Sequence, residues 1–131
     1  MPFFVPCRHK FNIVMNIEEL RNYCLSKKGV TESFPFNDVA LVFKVMNKMF
    51  ALTNLDGDLS ISLKCDPEKA IELRENFSAI TAAYHMNKTH WNNLLIDGSI
   101  SEMQIKHWID HSYDLVVKSL PKKMQAELDE I

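Results

Sequence analysis

At 131 residues, with 47% hydrophobic and 24% charged side chains, the chain has the size and make-up of one compact domain and is too apolar for a disordered segment. Its net charge is −2, and beyond the first fifteen residues 13 basic side chains stand against 17 acidic, a net of −4 that argues against a strongly basic nucleic-acid binder while leaving room for a local positive face. No apolar run approaches the roughly 20 residues of a membrane span, so no membrane partner is expected.

The start, MPFFVPCRHK, is too short for a signal h-region before its Pro-Cys-Arg interruption, and its charges follow the apolar stretch instead of preceding it. Residues 1–14 read as an extension ahead of a domain over 15–121, with 122–131 as a tail. Cys7, Cys24 and Cys65 are widely spaced and form no C-x-x-C, which leaves no readable disulfide framework or zinc knuckle. A reducing compartment, the cytoplasm, is the expectation.

Asn16 with Glu19 three residues on is a variant capping box and opens a helix over about 17–27, which the cations Lys27 and Lys28 and then Gly29 bring to a stop. After the loop TESFPFND, VALVFKV places Val39, Leu41, Phe43 and Val45 on one strand face and Lys44 on the other. Asn47-Lys48 is a plausible turn into MFALTNL, and Asp56-Gly57 turns again into SISLKC, which makes a three-stranded antiparallel meander.

Asp66-Pro67 pairs an N-cap with proline at the first helical position, and KAIELREN continues a short second helix. FSAITAAYHM is part strand and part loop, while HWNNLLI before Asp97-Gly98 is a strand ending in a turn. Ser99 and Glu102 have capping-box spacing ahead of a third helix whose stripe is Ile105, Trp108, Ile109, Ser112, Leu115 and Val116. That helix stops near Pro121, and PKKMQAELDEI is one further turn of helix or a frayed end. The order α-β-β-β-α-β-β-α is that of a two-layer α+β domain, with helices packed on an antiparallel sheet of about five strands whose other face stays open.

His107 and His111 stand one helical turn apart, the spacing of a zinc pair, but the stripe puts them on the opposite, polar face with Asp110 and Asp114, so no metal site is expected. His85, His90, Tyr84, Lys88 and Asp97 supply proton-transfer groups, yet no nucleophile elbow, glycine-rich phosphate loop or carboxylate pair accompanies them. Neither an enzyme nor a bound cofactor is expected. In NKTHW, Trp91 reads as burying its ring between sheet and helices, with Asn87 and His90 bonding neighbouring backbone at the strand entry. Lys44, Lys48, Lys64 and Lys88 fall on strands and hairpin ends, as a phosphate-binding strip or as lysines that discourage edge pairing.

Four ordered stretches resemble the MmcQ/YjbR family of small bacterial proteins: Phe43-Lys44-Val45 with Lys48-Met49-Phe50-Ala51; Ser62 to Pro67; Tyr84 to Asn92 around Asn87-Lys88-x-His90-Trp91; and Ser112-Tyr113 with Val116. The resemblance covers about Met15 to Leu120. The family commonly has glycine before the first-hairpin lysine, where this chain has Asn47, a residue that also tolerates left-handed turn geometry. The resemblance implies a double-wing, CyaY-like and secretion-chaperone-like α+β fold. It further implies DNA binding, and the expectation is that hairpin wings carry it, with Lys44, Lys48, Lys64 and Lys88 on phosphates and Asn87, His90 and Trp91 supporting the platform. The alternative is a protein- or peptide-binding module that uses the open sheet face near Met46, Met49 and Met86. Oligomeric state is not legible.

Overall fold

The computed structural model describes residues 15–83 and 86–131. Among the described residues, ten elements follow one another: α1 (Ile17–Leu25), β1 (Val30–Ser33), β2 (Ala40–Val45), β3 (Lys48–Asn54), β4 (Ser60–Lys64), α2 (Pro67–Asn76), β5 (Ile80–Ala82), β6 (Trp91–Leu95), α3 (Glu102–Ser119) and α4 (Lys122–Asp129). The strands form one antiparallel sheet in the order β1-β2-β3-β4-β6-β5. The α+β class and the meander stand as expected, with six strands instead of about five. The added strand, β1, carries only Val-Thr-Glu-Ser and, among the described residues, pairs with β2 alone.

Local chemistry sets the boundaries. The Asn16 side chain accepts from the Glu19 N–H at 2.8 Å while Glu19 Oε1 accepts from the Asn16 N–H at 3.1 Å, which completes the capping box of α1. Asp66 caps α2 through the Glu68 N–H at 3.1 Å, with Pro67 at the first position. The cap of α3 is Ser101, which accepts from the Gln104 N–H at 3.2 Å, and not Ser99, whose N–H and hydroxyl are both held by Asp97 Oδ1 at 2.9 and 2.6 Å. The β2–β3 turn is Met46-Asn47, one residue earlier than expected. Both have positive φ, +50° and +70°, as a two-residue type I′ hairpin requires, and the Val45–Lys48 pair closes it.

One sheet face carries the core. Leu41 and Phe43 (β2), Ala51 (β3), Ile61 and Leu63 (β4), Ile80 (β5) and Leu94 (β6) pack there with Leu20 of α1, Ala70 and Leu73 of α2, and Ile105, Ile109 and Val116 of α3. Phe77 meets the Trp108 ring edge-on at 5.3 Å between centroids. The chain after Pro121 takes the helical alternative, and Leu128 of α4 joins the core over Gly29. Gly29 sits at φ +74°, and a Cβ there would lie 2.5 Å from Leu128 Cδ1, so both backbone and packing call for glycine. Among the described residues no helix is long and apolar enough to cross a membrane.

Candidate nucleic-acid interface and open-face cleft

Strand alternation puts Ala40, Val42 and Lys44 of β2, Met49 and Leu52 of β3, Ser62 and Lys64 of β4, and Trp91 and Asn93 of β6 on the face away from the helices. A cleft of about 750 Å³ opens on that face, and no described helical residue lines it. Its wall combines Phe36, Met49, Leu52, Met86 and Trp91 with the amides of Asn37, Asn54, Asn87 and Asn93, and none of its described lining residues is charged.

Trp91 therefore stands on the open face, across from Lys64, and is only partly buried. The expectation that its ring enters the sheet–helix layer is corrected. That inward position belongs to Asn92, 1% exposed, whose Nδ2 donates to the Ala70 carbonyl at 3.2 Å and whose Oδ1 accepts from Arg74 Nη1 at 3.2 Å. A buried amide is tolerated here because α2 supplies partners on both sides. The same Arg74 nitrogen donates to the Lys88 carbonyl at 2.9 Å and so fixes the loop entering β6. Asn87 shapes that loop: its Oδ1 accepts from the Thr89 N–H at 2.9 Å and its carbonyl from the Trp91 N–H at 3.0 Å. His90 joins through its backbone, its carbonyl accepting from the Cys65 N–H at 2.7 Å. Tyr84 and His85 lie outside the described residues.

The four lysines lie at one end of the sheet, with Lys48 opposite Val45 on the other parity from Lys44 and Lys64. Lys44 is the penultimate residue of β2, Lys48 follows the β2–β3 turn, Lys64 ends β4, and Lys88 belongs to the loop whose exit, Trp91, pairs with Lys64. All four occupy the end of the sheet that carries the β2–β3 turn. Lys44 and Lys64 share the open face two strands apart, roughly 10 Å by strand spacing. Asp56 and Asp58 belong to the β3–β4 turn at the opposite end. Glu32 is engaged by Arg21, Nε to Oε1 at 2.7 Å, and this hydrogen bond holds its carboxyl below the usual range.

Sequence reasoning missed two linkages. Phe43 pairs with Ala51 and Lys44 with Met49, so Phe50 has no counterpart and β3 bulges there. Ser112 of α3 bridges the irregularity, its hydroxyl donating to the Phe50 carbonyl at 2.6 Å and accepting from the Lys64 N–H at 2.9 Å. The second linkage is at Asp110, expected on a solvated face. It accepts from the Tyr23 hydroxyl at 2.7 Å and pairs with Lys27, because α1 lies alongside α3. Burial works to lower the Lys27 ammonium, but the Asp110 carboxylate outweighs it and the net shift is upward. His111 is likewise partly buried, with Nε2 enclosed and unpartnered, whereas His107 is exposed. Among the described residues no three metal-ligating side chains gather.

Comparison with known proteins places this geometry. Residues 25–115 match the YjbR family. An Escherichia coli K12 protein described as "Uncharacterized protein YjbR" is 35% identical over 115 residues, 87% of this chain and 98% of that one. The E. coli O157:H7 protein YbdF, also described as uncharacterized, is 35% identical over 85% of this chain and 92% of its own. The crystal structure of Deinococcus radiodurans protein DR2400 superimposes with a TM-score of 0.83 at 37% identity, covering 88% of this chain and 89% of that one. A Pseudomonas syringae protein aligns with a TM-score of 0.68 at 28% identity, over 77% of this chain and 98% of its own.

Proposed function

The chain belongs to the YjbR family, and on that premise we propose that it is a non-catalytic nucleic-acid-binding module that holds phosphates at the lysine-bearing end of its open sheet. One observation carries the reading: Lys44, Lys48, Lys64 and Lys88, from four separate segments, all lie at the sheet end that Asp56 and Asp58 do not occupy. The turn that positions Lys48 is a tight two-residue hairpin, and Arg74 and Asn87 fix the loop that carries Lys88. Cations on short, tethered segments pay less ordering entropy when they meet a phosphate chain.

The test is fluorescence anisotropy with a labelled oligonucleotide. Replacing the four lysines together by Gln abolishes binding, while replacing Lys118, Lys122 and Lys123 by Gln, at the far end of α3 and in α4, leaves it unchanged. Equal loss from both triply and quadruply neutralised proteins would reduce the effect to overall charge and remove the assigned end.

A second reading draws on the uncharged cleft wall: Met49, Met86, Leu52 and Phe36 suit an apolar peptide segment. Met46, expected to share that surface, instead packs against the core cluster. Peptide binding of this kind would be insensitive to salt, whereas phosphate contacts weaken steeply with it.

A further inference from the structure

The cleft's polar atoms are biased in one direction. Asn37 Oδ1 accepts from the Val39 and Ala40 N–H groups at 2.9 and 2.8 Å. Asn54 Oδ1 accepts from the Asp56 N–H at 3.0 Å, Asn87 Oδ1 from the Thr89 N–H at 2.9 Å, and Asn93 Oδ1 from the Ser62 hydroxyl at 3.2 Å. Each of the four asparagines thus commits its acceptor to the protein and keeps its Nδ2 amino group for a ligand. The wall is therefore rich in neutral donors and free of described charge, and it includes the accessible indole of Trp91. Lys44 and Lys64 border it on the same face.

We infer that the cleft takes unpaired nucleobases whose edges present carbonyl oxygens, thymine or uracil, with Trp91 as the stacking surface and the Nδ2 groups of the lining asparagines as donors. This deepens the nucleic-acid reading and rests on it. Three chemical matches converge on one occupant. A flat, neutral ring stacks on a half-buried indole whose face lines the cleft, at little cost to sequence generality. Carbonyl acceptors satisfy Nδ2 donors that bond no described protein group. The phosphates joining such bases then reach Lys44 and Lys64 at the rim, with no described carboxylate in the wall to repel them. The cleft volume, about 750 Å³, falls within the range of small-ligand sites, so it admits bases as they leave a stacked strand but not an intact duplex. Unpaired bases on an open sheet with an aromatic platform are recognised in this manner elsewhere.

The experiment uses the full chain and three fluorescein-labelled 12-mers: oligo-dT, oligo-dA, and an abasic deoxyribose-phosphate chain of equal length. The expected order is oligo-dT tightest and the abasic chain at least about tenfold weaker, from loss of stacking. Trp91→Phe keeps oligo-dT within about threefold, whereas Trp91→Leu, which preserves apolar bulk but not the aromatic face, brings oligo-dT down to the abasic level and leaves abasic binding unchanged. Circular dichroism on both variants confirms the fold. Equal affinity of all three 12-mers for every variant overturns the cleft assignment and leaves the phosphate reading intact. No binding by any 12-mer at low salt overturns both. Quenching of Trp91 by a neutral extended Leu-Ser peptide but not by oligo-dT gives the cleft to a peptide and overturns the inference.

Discussion

At the scale of the residue, Ser112 shows how one hydroxyl joins two strands to a helix. Removing it leaves the Phe50 carbonyl and the Lys64 N–H without their shared partner, at a site where Ser112 itself is fully buried. Ser112→Ala is expected to cost about 1–3 kcal/mol, the usual penalty for buried groups left unsatisfied, measured by urea denaturation. Cys24, pushed up to about 12 by burial, holds its proton far above the pH at which an unfolded thiol ionises. Its contribution is therefore complete below pH 9 and is lost as pH climbs toward 12. With Cys7 replaced by Ser, neither Cys24 nor the buried Cys65 should react promptly with a disulfide reagent at pH 8, and two thiols should react in denaturant. Trp91 and Asn92 mark where residue-level reading stopped. In WNNLL the large apolar side chains fall on both parities, so alternation fixes which residues share a face but not which face turns inward. The answer lies in Ala70 and Arg74, about twenty residues earlier, which make an inward amide acceptable.

At the scale of the element, what was legible followed from local chemistry. Asn16 with Glu19, and Asp66 with Pro67, carry their signals within four residues, and the α3 stripe predicted its buried side from period alone. Ser99 and Ser101 offer the same hydroxyl two residues apart, and only the competing bond from Ser99 to Asp97 decides between them. β1 carries no apolar alternation because it pairs on one side only, and a four-residue edge needs little of its own. Two predictions belong here. Met46-Asn47 holds positive φ at both positions, so Asn47→Gly, by removing the left-handed penalty at the second, is expected to raise stability by about 0.5–1 kcal/mol in thermal or chemical denaturation. Unchanged stability would mean that Asn47 side-chain contacts offset the backbone gain. Gly29 and Leu128 form the second case. Gly29→Ala and Leu128→Ala each destabilise, the latter by about 2–4 kcal/mol, but the double variant should cost less than their sum, because the methyl added at 29 enters space that Leu128 vacates. Strict additivity would show that strain at φ +74° alone governs Gly29.

At the scale of the whole molecule, a net charge of −2 coexists with four lysines gathered at one sheet end, so the electrostatics of binding depend on arrangement and not on total charge. Composition could not reveal this gathering, since it arises from the register of β2, β3, β4 and β6. Four phosphate contacts imply a slope of log affinity against log salt near −3.6 on duplex DNA, at about −0.9 per contact, and near −2.8 on a single strand, at about −0.7. Lys48→Ala should flatten either slope by about one contact's worth. The two kinds of contact then separate in a single data set. Phosphate attraction is extinguished by salt and stacking is not, so oligo-dT and the abasic chain should give parallel lines, with oligo-dT displaced upward by an amount that persists to the highest salt. Convergence of the lines at high salt would assign the whole of the binding to the lysines, and a flat line for oligo-dT would assign it to the cleft without them. A parallel offset that Trp91→Leu removes and Lys48→Ala leaves in place is the signature of a sheet that holds the backbone at its end and the bases on its face.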